Sequence, residues 1–492
     1  MDLDVYGGGT KAVMSLNESA ISGIKWSSLS HIVQQAIQLV TAVILARLLS
    51  PSDFGLMSMA IVVTGFIALF KDLGTSAAVI QHKNLSETLL STAYWVHVVV
   101  GFLSTTLLIL ISALAGSLYR EPGLVALVRV LSVTFFISGL GILPQTLLER
   151  ELAFQKLIKI EVSAIAFGSI VGIGSALLGA GVWSLVYQSL AVAAASTVFL
   201  WISSSWRPRM VFQWSEMKSI CGYSLNLTGF NIFNYFARNA DYILIGRFLG
   251  TRDLGYYTLA YRLMLYPLQS ISGAIGRVMF PAYSQMQNDD AKFQRVFLNV
   301  AGSVALITFP MMLGLMALSE PFVLTFFGPQ WVPVTLLLMI LAPVGLIQSV
   351  GTTVGAIYQA KGRTDWMLRW GIGAGLLVML AFVIGLRWGI VGVAIAYALV
   401  SVILTYPNFA IPFRLINLPV RDLGAVLWRP FLSGLLMLAV VLALKGALPT
   451  DLPSGLALGI LVLTGIVTYF SAGWMVDRNH MRQILGMVGV RT

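Results

Sequence analysis

His31-Ile-Val-Gln34-Gln-Ala-Ile-Gln38-Leu-Val-Thr41 and Asn231-Ile-Phe-Asn234-Tyr-Phe-Ala-Arg238-Asn-Ala-Asp241 are one pattern written twice, two hundred residues apart. In each, polar side chains recur at i, i+3, i+7 and i+10 within an apolar run, so all four share one face of an α-helix. The following residues repeat as well: Arg47-Leu-Leu-Ser-Pro-Ser-Asp53-Phe-Gly55 corresponds to Arg247-Phe-Leu-Gly-Thr-Arg-Asp253-Leu-Gly255. Apolar helices align by chance. An arginine and an aspartate at a shared offset do so less readily, because both are scarce in this chain. The pattern predicts two related bundles of membrane helices, each turning a polar face inward, as in a transporter with a central aqueous cavity.

Composition agrees. The chain has 492 residues, 58% hydrophobic and 10% charged, where a soluble domain averages about a quarter charged. The net charge of +11 reads as Lys and Arg gathered in loops on one membrane side, not as a nucleic-acid surface. A single cysteine, Cys221, excludes an intramolecular disulfide and a cysteine-based metal cluster. Residues 1–20 are polar, carry Gly7-Gly8-Gly9 and lack the apolar core of a signal peptide.

The predicted fold is all-α: a polytopic transmembrane protein of about fourteen helices. Two six-helix lobes form parallel repeats, followed by two appended C-terminal helices with no counterpart. The expected organisation is a cytoplasmic tail over 1–20, an N-lobe over 21–205, a C-lobe over 206–414, and the last two helices with the C-terminus over 415–492. The fourth span is expected within 122–147 and the tenth within 333–359, while Phe322–Phe327 reads as a short interfacial helix or a broken end of the tenth. Only Arg47, Arg120, Arg129, Arg247, Arg252, Arg387 and Lys445 fall on the side away from the N-terminus; nearly all other Lys and Arg lie on the N-terminal side. Both termini are therefore expected in the cytoplasm. Runs such as Gly371-Ile-Gly373-Ala-Gly375 read as close helix packing.

Several residues are too polar for their position. A charge at the bilayer centre costs roughly 2.5–3.5 kcal/mol even on a lenient scale. Arg238 and Asp241 lie three apart on one face and are able to pair, so they read either as a structural ion pair or as cavity lining, with Asn231 and Asn234 alongside. Arg262 shares a face with Thr258 and Tyr266. It suits a diphosphate, which a guanidinium grips bidentately, and it equally suits snorkelling to an interface. Asp241, His31 and His97 are the candidate intramembrane proton sites, although a buried histidine is commonly a packing residue. Lys25 lies near the cytoplasmic end of the first span, where it either draws in an anionic headgroup or sets topology. The sequence has no phosphate loop, zinc motif, CxxC or serine elbow. No loop is long enough for a catalytic domain. A secondary transporter is expected rather than an enzyme, with no cofactor and with H+ or Na+ as candidate coupling ions.

The stretch from Asn234 through Arg238, Asp241, Gly246, Gly250, Leu254-Gly255-Tyr256-Tyr257 and Tyr261-Arg262 resembles the hallmark of bacterial polysaccharide exporters. These are the Wzx-type lipid-linked oligosaccharide flippases of the multidrug/oligosaccharidyl-lipid/polysaccharide superfamily, and the likeness is greatest to colanic acid and xanthan exporters. Ile24-Lys25-Trp26-Ser27, Glu151-Leu-Ala-Phe154 and Arg277-Val-Met-Phe280-Pro281 are similar too. The resemblance implies a monomer in the bacterial inner membrane. It implies movement of an undecaprenyl-diphosphate-linked glycan from the cytoplasmic to the periplasmic face by alternating access. Membrane lipids are further partners, with a polysaccharide polymerase and a chain-length regulator as candidate ones. By the same resemblance Arg238 and Arg262 meet the diphosphate or acidic sugars, Asp241 balances Arg238, and His31, Gln34 and Gln38 offer hydrogen bonds to sugar hydroxyls. The alternatives are a multidrug/cation antiporter of the same superfamily and a peptidoglycan lipid-precursor flippase.

Overall fold

The computed structural model describes residues 33–71, 75–81, 85–213, 225–449 and 452–476. Among these residues the secondary structure is helical, without strands. The chain is a multi-pass membrane protein: ten stretches of helix are long and apolar enough to cross a bilayer. Leu103, Leu107, Leu110 and Leu114 illustrate why. They form one exposed apolar stripe along a 33-residue helix, a surface that water would not tolerate and lipid favours.

The first half contains α1 (Val33–Leu48), α2 (Pro51–Ala68), α3 (Thr75–Gln81), α4 (Glu87–Tyr119), α5 (Pro122–Gly139), α6 (Ile142–Arg150), α7 (Phe154–Leu177) and α8 (Trp183–Ser203). The second contains α9 (Leu225–Phe248), α10 (Thr251–Gln285), α11 (Asp290–Ala317), α12 (Ser319–Phe326), α13 (Pro333–Gly351), α14 (Gly355–Ala360), α15 (Thr364–Gly385) and α16 (Gly389–Phe413). Then come α17 (Val420–Ala447) and α18 (Ser454–Val476). The expected fourth span is therefore not one helix. It breaks after Gly139 into α5 and α6, and the expected tenth span breaks after Gly351 into α13 and α14. Hydropathy runs unbroken across both joins, which is why neither break shows in the apolar pattern. The two breaks fall at matching places in the two halves. Phe322 and its neighbours form α12, a short helix of their own.

Packing divides the chain into two compact units, Met1–Phe236 and Ala237–Thr492, with the division inside α9. In the first unit α4 pairs with α5 and α7 with α8, while α5 also packs on α2 and α8. Residues after α8 are held against the start of α4. Ser91 and Thr92 hydroxyls accept from the amides of Arg209 and Gln213, each at 3.1 Å, and the Trp95 indole donates to the Arg209 carbonyl at 3.0 Å.

In the second unit α13 packs against α10, α11 and α16. The pair α15 and α16 meets at Gly385 and Gly392, where a Cβ on Gly385 would lie 2.6 Å from the Gly392 carbonyl oxygen. Gly371 and Gly373, by contrast, have nothing within 4 Å. The run expected to pack tightly is thus on an open helix face, and the close approach occurs a helix end away. The two helices without counterparts are joined to this unit's core. Met437 and Val441 of α17 and Leu458, Leu461 and Tyr469 of α18 share one apolar cluster with Leu306 and Leu313 of α11. The Tyr469 hydroxyl donates to the Leu306 carbonyl at 2.8 Å.

Candidate functional site

The first copy of the polar stripe lies on α1. Gln34 is half-buried and its amide donates to the Glu161 carboxylate of α7 at 2.8 Å. Gln38 is exposed. Thr41 is buried and its hydroxyl donates to the Ile37 carbonyl at 2.7 Å, so it serves its own helix. His31 and Lys25 lie outside the described residues. Glu161 was not among the residues singled out from sequence. It stands near the start of an apolar run just after Lys156 and Lys159, where it reads as part of a charged loop; its place inside the expected span was the available signal.

His97 of α4 is buried, and its Nε2 lies 3.0 Å from the Thr75 hydroxyl of α3. One turn earlier on the same helix, the Tyr94 ring meets Trp95, Trp201 and Trp206.

The second copy lies on α9. Asn234 and Arg238 are exposed. The helix is described at Asn231, whose side chain lies outside the description. Asp241 is 2% exposed. Its carboxylate accepts from the Tyr242 amide at 2.9 Å and from the Tyr257 hydroxyl of α10 at 3.0 Å. Among the described residues no ion pair joins it to Arg238. The expectation that Asp241 balances Arg238 is corrected accordingly. The physical cause is the turn at Gly250: α10 folds back along α9 and lays Tyr257 over the carboxylate, while Arg238, one turn earlier, stays outside that cover. The second half of the stripe is therefore split into an exposed cationic part and a buried acidic part.

Arg262 of α10 is exposed. No ion pair holds it among the described residues. Beneath it, hydroxyls line up from helix to helix. Tyr257 stacks on Tyr261 with ring centroids 5.8 Å apart. The Tyr261 and Tyr397 hydroxyls are 3.5 Å apart, and the Gln348 amide of α13 donates to Tyr397 of α16. Tyr257, Tyr397 and Gln348 escape a sequence reading because they belong to three helices that only tertiary packing brings together. The stripe helices α9 and α10 are not among the ten stretches apolar enough to cross on hydropathy alone. Two guanidiniums and a polar face lower their apolar content.

A sequence profile described as "Polysaccharide biosynthesis protein" matches residues 44–336, which includes both repeated turn motifs, α9 and α10. The chain belongs to the polysaccharide biosynthesis protein family. A relative within reach of this family is the lipopolysaccharide biosynthesis protein WzxC of Escherichia coli strain K12, 30% identical over 88% of each chain. Another is the succinoglycan biosynthesis transport protein ExoT of Rhizobium meliloti strain 1021, 27% identical over 95% of each chain. Among solved structures, the lipid II flippase MurJ in an inward closed conformation superposes with a TM-score of 0.75. The match covers 93% of this chain and all of that one at 16% identity. At that identity the match establishes the family's fold: a helical transporter architecture.

Proposed function

We propose that this polysaccharide biosynthesis protein is a flippase, not an enzyme, and that it moves lipid-linked oligosaccharide from the cytoplasmic to the periplasmic face of a bacterial inner membrane. Both termini are then cytoplasmic, in keeping with the side on which most Lys and Arg fall. The cargo is a polyprenyl-diphosphate glycan. Alternating access carries it, with H+ or Na+ movement as the energy source. Membrane lipids surround the chain, and a polymerase and chain-length regulator take the product on the far side.

The observation that carries this reading is the pair Arg238 and Arg262. Both are exposed, and neither has an ion-pair partner among the described residues. An arginine kept within a membrane helix without a counter-charge is expensive, and an anionic cargo offsets that cost each time it binds. A guanidinium matches diphosphate in shape and in charge. On α1, the exposed Gln38 offers amide hydrogen bonds of the type that sugar hydroxyls take, next to Gln34, which holds Glu161, with Lys25 and His31 nearby in sequence.

Deletion of the gene and assay of lipid-linked glycan on each membrane face test the reading. Repeat units retained on the cytoplasmic face, with polymer lost and restored by this chain, are the expected result. Normal polymer together with new sensitivity to cationic drugs would overturn it in favour of a drug antiporter.

A further inference from the structure

Arg129 of α5 has no part in the function proposed above. It lies beyond Pro122, the first residue of the helix, by about 10 Å at 1.5 Å per residue. It therefore stands inside one of the ten membrane-crossing stretches, toward the end away from the N-terminus. The helix turns Leu124, Leu127, Val128 and Leu131 inward, whereas Ala126, Arg129 and Val133 are exposed. On α4, Leu110 and Leu114 to either side of Ser112 are exposed as well, at 72% and 70%. The guanidinium thus sits among side chains that lipid covers.

One contact sets its orientation. Nε donates to the Ser112 hydroxyl of α4 at 3.0 Å. Ser112 is fully buried, and its own proton goes to the Ile109 carbonyl at 2.7 Å, so its oxygen is left to accept. Among the described residues Nη1 and Nη2 have no partner, and no acid pairs with the guanidinium. With Nε held, the far edge of the group presents two parallel N–H donors, the arrangement that grips two oxygens of one anion. Side chains of a helix tilt toward its N-terminus. This one therefore leans toward the membrane surface at the Pro122 end, where headgroups lie.

The fold does not need the charge. The buried positions of α5 recur in α13 at a constant offset: Leu124, Leu127, Val128 and Leu131 answer to Val334, Leu337, Leu338 and Leu341. In that register Arg129 falls on Met339, which is also exposed. An apolar side chain serves the second copy. A cation within a span is costly, and a bound anion offsets that cost.

We propose that Arg129, oriented by Ser112, binds the phosphate group of a membrane lipid in the leaflet away from the N-terminus. The fork takes two phosphate oxygens, and the exposed leucines lie against the tails. Two lipids carry this chemistry: the surrounding phospholipid, and the polyprenyl-diphosphate glycan of the proposed function. Either one suffices. Binding is read without transport, so the outcome is independent of the flippase reading.

The test is lipid binding to the purified full chain in detergent by native mass spectrometry, with a melting curve for each variant. The probes are phosphatidylglycerol, diacylglycerol with the same tails, inorganic phosphate, and lipid-linked oligosaccharide extracted from cells lacking this chain. For the last probe every chain also carries Arg238→Ala and Arg262→Ala, so that those arginines do not mask the site. At least one phosphate lipid is expected to bind about tenfold more tightly before Arg129→Met than after it, while diacylglycerol binds both chains alike. Arg129→Lys recovers only part of the affinity because the fork is lost. Ser112→Ala loses part of it with Arg129 still present. An effect on phosphatidylglycerol marks a resident lipid, and one on the oligosaccharide lipid marks the diphosphate of the cargo.

Equal binding of both phosphate lipids with and without Arg129→Met would overturn the proposal and leave the flippase reading intact. So would a difference confined to inorganic phosphate, which would mark a site for a soluble anion. An Arg129→Met chain that melts earlier, with Arg129→Lys restoring the melting temperature and lipid binding unchanged in both, would overturn it too and make Arg129 a structural residue.

Discussion

Arg238 is exposed and Asp241 buried, and their separation changes what mutation of either should do. If they formed a static ion pair, removing both would repair the damage of removing one. The carboxylate instead bonds to Tyr257 and the Tyr242 amide. Arg238→Ala and Arg262→Ala are each expected to lower lipid-linked oligosaccharide movement about ten- to a hundredfold, the worth of a charge-assisted hydrogen bond. Lysine at either position keeps the charge but loses the fork, so it restores only part. Arg238→Ala with Asp241→Ala is expected to be no better than Arg238→Ala alone. Complementation of polymer production by the five variants measures all of this. The sequence shows the polar face of α9 because helical periodicity is local. It does not show that the face is divided, because the cover over Asp241 comes from a residue sixteen positions on, across a turn. Glu161 is hidden for a related reason: its partner Gln34 is 127 positions away.

At the scale of helices, the apolar pattern locates the elements well and their breaks poorly. Hydropathy is a property of a run of residues, and Gly139 to Ile142 or Gly351 to Gly355 leaves that property unchanged while the helix ends and restarts. Glycine content is equally ambiguous. Gly371 and Gly373 meet open space, while Gly385 touches backbone of the next helix. Without a hydrophobic driving force between helices in lipid, such close approach is a main source of attraction. Gly385→Val is therefore expected to force α15 and α16 apart and to lower stability by about 1–3 kcal/mol, whereas Gly371→Val is expected to be nearly neutral. Thermal melting of the two purified variants in one detergent separates them.

At the scale of the whole chain, the two helices without counterparts look like additions in sequence, yet they share a core with α11. Lipid would cover the surface they leave on removal, so the apolar area itself matters less than it would in water. What is lost is shape-matched packing around Leu306 and Leu313 and the hydrogen bond from Tyr469. A chain ending at Asn417 is expected to express less and to melt earlier than the full chain, even if its remaining helices insert. Fluorescence-detected gel filtration after graded heating measures this. The repeat, by contrast, is written in sequence at this scale, since Arg47 to Gly55 and Arg247 to Gly255 keep a common register, and both motifs join one helix to the next, α1 to α2 and α9 to α10.

The two turns that carry this register are secured by different means. Ser50 and Asp53 bond reciprocally at the start of α2, a device several polar residues can reproduce. At the start of α10 the same place is taken by Gly250 at φ 91° and ψ −178°, with no side-chain cap, a backbone region that essentially glycine alone enters. The two turns should therefore tolerate substitution unequally. Position 50 can drift among threonine, asparagine and aspartate; position 250 is frozen. A saturation library scored for polymer production should show a broad profile at the first and a single survivor at the second.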